Sequence, residues 1–310
     1  MQNVDPVRRL LSHRLRGFSC HEGSLDALRK ALAAGARYLE IDTRVTADGE
    51  ILVFHDSRLE RLTDARGRVA DYDVSTSGPP RFKGSSHERV PTLTEFVTSF
   101  AQAGDNCELC IDIKDYGAEE HHWRLLHESG IVQRVWIVSW LPEVLLRIHR
   151  IDPHVRLSFS HLPLTRQQRA LRLLARLLRS GLLLRVMGRC ARLATPGTQL
   201  RDVRLYVDQC NPSTLPDKAI SGLFPVHILS GLPDGPLGDA LRASRGAVGL
   251  PALLLTRQYA RQAHDMGLKV FVFSVDTPGA VQRTLTSADP DVIFTNNPEL
   301  FRLDWTAARR

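Results

Sequence analysis

Short apolar runs recur along the chain, separated by stretches whose apolar residues have helical spacing. Arg37–Asp42 (RYLEID) reads as a strand after a helix over Leu25–Ala34, with Gly35 as the helix stop. Glu50–His55 (EILVFH) reads as the next strand, entered through a turn at Asp48-Gly49. Further strands are expected at 108–113, 135–139, 155–159 and 203–208, and near 270–275 and 291–295. Helices fit between them at 92–103, 118–129, 142–150, 253–266 and 277–286. Strand-helix alternation predicts a parallel sheet. About eight strands over this length predict a closed (β/α)8 TIM barrel. The competing reading, an open doubly wound sheet, lacks its Gly-rich phosphate loop after an early strand. No internal repeat and no Pro-, Gly- or Ser-rich linker divides the chain, so residues 1–310 read as a single domain. Ser75–Arg89 is a surface loop within it.

Composition narrows the class. Hydrophobic content of 43% and charged content of 24% exclude a disordered, collagen-like or coiled-coil chain. The net charge of +7 is local: Arg166, Arg169, Arg172, Arg176, Arg179, Arg185, Arg189 and Arg192 have no acidic residue between them. Without them the balance is 33 basic against 34 acidic, so the basic character belongs to one segment. The first five of these Arg share a helical face beside a Leu flank, which predicts a basic helical insertion around 160–200. It admits three readings: a helix on anionic lipid, an ordinary barrel helix, or a partner-binding helix. Nucleic acid is not an expected partner, because the segment lacks interleaved aromatics. An odd count of five Cys argues against a disulfide framework and fits a reducing compartment. Asp5, Arg8 and Arg9 precede any apolar run, so no signal peptide is expected. Arg residues interrupt the longest apolar stretch, so no transmembrane helix is expected. The expected location is the cytoplasm, with a peripheral contact to anionic membrane through Arg166–Arg192.

Candidate chemistry gathers at strand ends. Glu40 and Asp42 are two apart on one strand, so their side chains share a face about 7 Å apart. Both fall at the strand's C-terminal end, where barrel active sites are built. Paired carboxylates there suit a hard cation, Ca2+ or Mg2+; a solvated, incidental pair is the alternative. His55 ends the next strand and could move a proton; a hydrogen-bonded structural His is the alternative. His13-Arg14 closes the first strand, and this pairing suits phosphate. Asp112 and Lys114 repeat the same-face spacing, as a further ligand and an ammonium, or as a strand-end salt bridge. Together these seven residues supply three carboxylates, two His and two cations at converging strand ends. That set fits metal-assisted phosphodiester chemistry.

The stretch from His13 to Thr63 resembles the glycerophosphodiester phosphodiesterase family. The resemblance rests on His13-Arg14, Glu22, Gly35-Ala36, Glu40-Ile41-Asp42, Thr46-Ala47-Asp48-Gly49, His55-Asp56, Leu59 and Arg61-Leu62-Thr63. Pro91–Glu95, Ile111–Lys114, Val270–Asp276 and Asp291–Pro298 support it. The departures are Leu15 where the family has Gly, His21-Glu22-Gly23-Ser24 for P-E-N-T, and Asp112 for Glu. In addition, Phe273–Asp276 stands for W-T-V-N, and Thr295–Pro298 for T-D-x-P. The resemblance implies a TIM barrel in which Glu40, Asp42 and Asp112 bind one divalent cation, Mg2+ or Ca2+. It implies His13 and His55 as the acid/base pair and Arg14 and Lys114 as phosphate ligands. The implied reaction is hydrolysis of glycerophosphodiesters to glycerol 3-phosphate and an alcohol. Three alternatives stand beside it: a lysophospholipase D-type enzyme on membrane lipids, a sugar-phosphodiester hydrolase, and a catalytically inactive barrel serving as a binding module.

Other residues read as structural. Cys107 and Cys110 fall on opposite faces of their strand, which argues against a thiol function. His121, His122 and His127 are expected on a solvated helix surface. Asp208 and His227 are candidates for the substrate pocket without support from spacing.

Overall fold

A computed structural model describes residues 5–104, 106–163, 203–208 and 224–305. The basic segment 166–192 and its expected helical insertion lie outside the described residues. In chain order the strands are β1 (Leu10–Ser12), β2 (Tyr38–Val45), β3 (Ile51–Val53), β4 (Glu108–Ile113), β5 (Val135–Ser139) and β6 (Arg156–Ser160). They continue with β7 (Leu162–Pro163), β8 (Val203–Val207), β9 (Phe224–Leu229), β10 (Ala247–Pro251), β11 (Lys269–Phe273) and β12 (Val292–Thr295). The helices are α1 (Leu25–Ala33), α2 (Val74–Ser77), α3 (Leu93–Ala101), α4 (Glu119–Glu128) and α5 (Pro142–Ile151). After the gap come α6 (Gly235–Ala243), α7 (Arg257–Asp265) and α8 (Pro278–Ala288).

The chain folds as a TIM barrel. Strands β1, β2, β4, β5, β6, β10, β11 and β12 form a parallel ring. It closes because β1 pairs on one side with β12 (Leu10↔Ile293) and on the other with β2 (Leu11↔Tyr38). Two expected strands stand outside the ring. β3 returns antiparallel on β2, with Thr43 opposite Val53 and Val45 opposite Ile51. The tight turn at Asp48-Gly49 allows only this hairpin; a parallel neighbour needs a crossover of a dozen residues or more. β8 joins β9 and β7 in a separate three-stranded sheet. The ring position is taken instead by β10, whose AVGLP sequence lacks the β-branched density of its neighbours and was not expected as a strand. Its Gly249 lies 2.9 Å, measured from the Cβ an alanine would carry, from Ser160 Oγ on β6, so a small residue is required there.

Alternation along the strands separates two cores. Leu39 and Ile41 of β2, and Leu109, Ile111 and Ile113 of β4, point outward beneath the helices. Leu11, Cys110, Trp136, Val138, Phe271 and Phe294 fill the barrel interior. Cys107 is half-buried, and its thiol donates to the Ala36 carbonyl, 3.5 Å away. Glu40, Asp42 and Asp112 occupy the alternate positions and therefore face inward with Cys110. Helix starts are set by side-chain caps: Ser24 accepts from Ala27 N at α1, and Thr92 and Glu95 form a capping box at α3. His122 departs from expectation. It is fully buried on α4, with Nδ1 2.7 Å from the Ala118 carbonyl and Nε2 2.9 Å from Thr43 Oγ1. A helix laid on a barrel has an inward face, and His122 is on it.

Candidate active site

Two adjacent strands set the acidic centre. β2 and β4 pair in register, with Glu40 beside Cys110 and Asp42 beside Asp112. Parallel neighbours stand about 4.8 Å apart, so Asp42 and Asp112 are placed side by side. Carboxylate oxygens of Glu40, Asp42 and Asp112 lie within 4.8 Å of one another. Asp112 thus reaches the cluster despite being one methylene shorter than Glu. Lys114 Nζ is 2.8 Å from Asp42 Oδ1 and in contact with Asp112 Oδ2. Both expected pairs are therefore parts of one cluster.

The β1–α1 loop brings His13 and Arg14. Arg14 and Leu15 both adopt positive φ, 56° and 54°. Leu15 keeps the left-handed turn that Gly would adopt freely, at a cost of about 1–2 kcal/mol, and its side chain is buried in the outer core. The turn aims Arg14 N at Glu40 Oε2, 2.8 Å away. Arg14 Nε stands 3.2 Å from Asp42 Oδ2, an ion pair without hydrogen-bond alignment, and Nη1 has no hydrogen-bond partner among the described residues. His13 Nε2 is 4.0 Å from Glu40 Oε2, and Nδ1 is 2.9 Å from Asn296 Oδ1. Asn296 Nδ2 donates to Asp276 Oδ2 at 3.1 Å, which orients its oxygen toward His13. His13 Nδ1 is then the donor, and Nε2 carries the lone pair.

His55 arrives from β3. Because β3 runs back toward the mouth, His55 lines the same small cavity as Arg14 and Asp42. Its Nδ1 lies 2.8 Å from Asp56 Oδ1, and its buried Nε2 has no hydrogen-bond partner among the described residues. Asp56 is gripped by Arg61, which also donates to Glu22 Oε1 at 2.6 Å; Arg16 Nε donates to Glu22 Oε2 at 2.6 Å. Sequence reasoning did not assign roles to Asp56, Arg61, Glu22, Asp276 or Asn296. Asp276 and Asn296 sit just beyond the ends of the last two ring strands, a position that could have marked them. Asp208 is exposed and is held by Ser230 N and Oγ, while His227 is buried against Phe159 and Tyr206. Neither joins this cluster. An aromatic chain runs from the site itself: His13 meets Phe294 edge-on at 5.9 Å, Phe294 meets Phe273 at 6.1 Å, and Phe273 meets Trp140 at 5.9 Å.

The electrostatics follow from burial. Burial and the neighbouring Asp42 push the Glu40 carboxyl well above its usual range, and burial also raises Asp112. For Asp42 burial acts upward too, but Lys114 and Arg14 outweigh it and hold the carboxyl below its usual range. Burial, then Arg14, lowers His13 to about 3; burial, Arg14 and Lys114 lower His55 well below 6.5. Both imidazoles are therefore neutral at neutral pH, with Nε2 available as a base. With all three carboxyls ionised, the form a bound cation favours, three carboxylates against two cations leave the bowl one charge negative. A divalent cation makes it one positive, and a phosphodiester monoanion neutralises it. The donor set fits such a cation: all oxygen, closely spaced, with the buried Asp112 Oδ1 lacking a hydrogen-bond partner among the described residues.

Known proteins resemble this chain in sequence and in fold. Residues 11–187 match the model of the glycerophosphoryl diester phosphodiesterase family. Glycerophosphodiester phosphodiesterase 1 of Bos taurus is 30% identical over 175 residues, 53% of this chain and 52% of that protein. A glycerophosphodiester phosphodiesterase of Caldanaerobacter subterraneus subsp. tengcongensis is 29% identical over 166 residues, 49% of this chain and 66% of that protein. The chain thus spans about half to two thirds of the length of these relatives. The structure of an Oleispira antarctica phosphodiesterase in complex with the product sn-glycerol-3-phosphate superposes with a TM-score of 0.63. It is 16% identical, over 97% of this chain and 96% of that one, so the likeness is one of fold.

Proposed function

Because the chain belongs to the glycerophosphoryl diester phosphodiesterase family, we propose that it hydrolyses glycerophosphodiesters to glycerol 3-phosphate and an alcohol. The carrying observation is the in-register acidic cluster flanked by two His that each present an unprotonated Nε2. Glu40, Asp42 and Asp112 would hold one divalent cation, Mg2+ or Ca2+. When bound, that cation supplies positive charge against the phosphoryl oxygens. Arg14, whose Nη1 has no hydrogen-bond partner among the described residues, and Lys114 bind the same oxygens and orient the diester.

The two His divide the proton transfers. His55 is backed by the Asp56 carboxylate, which stabilises the imidazolium formed on proton uptake. It is the base for the attacking oxygen, from water or a neighbouring substrate hydroxyl. His13 is backed by the neutral amide of Asn296. A bound phosphodiester anion raises its proton affinity, so Nε2 takes up a proton from solvent as the substrate binds; it gives that proton to the leaving alkoxide as the P–O bond breaks, and His55 returns the proton taken from the attacking oxygen to solvent. The half-buried Trp140 and Phe273, in edge contact, offer apolar surface to the substrate's carbon skeleton.

The test is release of glycerol phosphate from glycerophosphodiesters, lysophospholipids and sugar phosphodiesters, with Mg2+, with Ca2+ and with chelator. Metal-dependent turnover that falls about 10²–10⁴-fold in His13→Ala supports the reading. Equal loss in Glu40→Ala assigns the cluster to the same step. Turnover only on lysophospholipid or sugar phosphodiester replaces the substrate class. A folded protein inactive on the whole panel leaves the binding-module reading. Among the described residues no helix is long and apolar enough to cross a membrane. On the small, odd Cys count we propose a cytoplasmic location, and on the charge pattern Arg166–Arg192 as a contact to anionic lipid; flotation with anionic vesicles, lost when Arg172, Arg176 and Arg179 become Glu, tests that contact.

A further inference from the structure

A second cluster lies outside the acidic bowl. Cys20 and His21 belong to the β1–α1 loop, and Glu88 to the loop that precedes α3. One ligand atom from each lies within 4.8 Å of the other two. Cys20 Sγ is 3.6 Å from His21 Nδ1, and Glu88 Oε2 is 2.6 Å from the same nitrogen. His21 Nε2 faces the Lys83 carbonyl at 3.1 Å. The ring stacks on Phe82, with centroids 4.6 Å apart and planes 7° from parallel. We propose that Cys20, His21 and Glu88 form a binding site for a borderline-soft divalent cation, best matched by Zn2+, separate from the oxygen-only cluster.

The argument starts from the imidazole. A carbonyl only accepts, so Nε2 carries the proton that bonds Lys83 O. Nδ1 then turns a lone pair toward a carboxylate and a sulfur. A lone pair facing a carboxylate at this range needs a cation between them, a proton or a metal. A proton on Nδ1 explains Glu88 and leaves Cys20 without a role; a metal uses all three. The Nε2 bond to a backbone carbonyl is also the contact by which ligating His residues are held in their tautomer.

The distances are those of zinc. Legs of about 2.3 Å to sulfur and about 2.0–2.1 Å to nitrogen, at a tetrahedral angle, place S and N about 3.5–3.6 Å apart. Cys20 Sγ and His21 Nδ1 are 3.6 Å apart. The same geometry puts N and O about 3.3–3.4 Å apart, so Glu88 must withdraw by under about 1 Å. Its side chain is 34% exposed and can do so. Cys20 is exposed, which leaves the fourth position to water. Sulfur and nitrogen select Zn2+ over Mg2+ or Ca2+, whereas the all-oxygen cluster favours the hard cations. Occupancy ties the β1–α1 loop to the loop carrying Glu88. Glu22, next in the chain to His21, grips Arg61, and Arg61 grips Asp56 behind His55.

Cobalt reports on the site directly. Co2+ is titrated into the full chain in saturating Mg2+, which holds the oxygen-only cluster. One equivalent is expected to produce a thiolate-to-cobalt charge-transfer band in the near ultraviolet, displaced by one equivalent of Zn2+. Cys20→Ser is expected to abolish the band and leave the circular dichroism and Mg2+-supported turnover unchanged; Cys107→Ser keeps it. Glu88→Gln is expected to weaken Zn2+ binding at least about tenfold, since even outer ligand partners are worth that much. A wild-type chain with no thiolate band, or a band that survives in Cys20→Ser, overturns the proposal. The band is read without turnover, so this result is independent of the catalytic reading.

Discussion

Lys114→Met separates the charge balance of the acidic bowl from its chemistry. Lys114 is buried and contacts both Asp42 and Asp112. Removing one partner of a buried ion pair costs about 3–5 kcal/mol, because the other is left uncompensated. At about 2–4 °C per kcal/mol, the melting temperature without divalent cation should fall by roughly 6–20 °C. Mg2+ supplies charge to the same carboxylates, so with Mg2+ the fall should shrink by more than half. The loss should also shrink at lower pH. Asp112 and Glu40 already have folded-state affinities for a proton above their usual values, through burial and mutual repulsion. A carboxyl raised in this way stabilises the fold below its unfolded pKa and loses that contribution as pH rises through the folded value. Protonation of either relieves the uncompensated charge. Thermal melts of wild type and Lys114→Met, at two pH values with chelator or Mg2+, give the full comparison. An equal drop with and without Mg2+ would refute the claim that Lys114 and the cation share the same carboxylates. Turnover, by contrast, should stay about 10²–10³-fold low even in Mg2+, because the ammonium proposed to bind phosphate is gone.

Other consequences are testable in the same protein. Burial lowers His122 to about 4, so between pH 6.5 and 4 the unfolded chain takes a proton that the fold refuses, and stability falls as pH drops. His122→Gln should remove about 1.4 kcal/mol per pH unit from that slope in denaturant unfolding; an unchanged slope rejects the assignment. A Cβ on Gly17 would sit 2.6 Å from Pro298 Cδ at a φ of +77°, so Gly17→Ala should cost about 1–3 kcal/mol in urea unfolding. Asp276→Ala frees the Asn296 amide behind His13; kcat should fall by up to about 10²-fold with KM little changed, and a fall in KM alone would contradict a positioning role.

The acidic centre was legible in the sequence because strand periodicity carries it. Glu40 and Asp42 share a face by spacing alone, as do Asp112 and Lys114, and a parallel register needs only one decision to bring them together. His13 and His55 were legible as strand-end residues. His55, however, reaches the mouth by a different route: its strand runs back along β2 instead of joining the ring. Strand spacing does not reveal direction, whereas the short Thr46–Glu50 connection, closed by Thr46 N on the Glu50 carbonyl, does. β10 was missed because Ala247-Val248-Gly249-Leu250-Pro251 carries weak strand propensity; packing against β6 and β11 decides it. His122 was misread because polarity marks a surface only until a buried partner such as Thr43 is known. The pairs Asp276–Asn296 and Arg61–Glu22 join residues 20 and 39 apart, and no local pattern announces such a contact.

These contacts explain why the departures from the family pattern are tolerated where they fall. Glu40, Asp42, Asp112 and Lys114 lie on or just past two paired strands, whose register fixes them independently of the loops. Asp112 can therefore replace a longer acid, since lateral pairing with Asp42 determines its reach. His13, Arg14 and His55 lie in loops and need other restraints. For His13 the restraint is Asn296 held by Asp276; for His55 it is Asp56 held by Arg61, Glu22 and Arg16. The family box around Glu22 keeps only that Glu, and Glu22 is the member that receives both Arg16 and Arg61. The residues around it are thereby released from that duty. Ser24 is left to cap α1, and Cys20 and His21 are left to take the second cation.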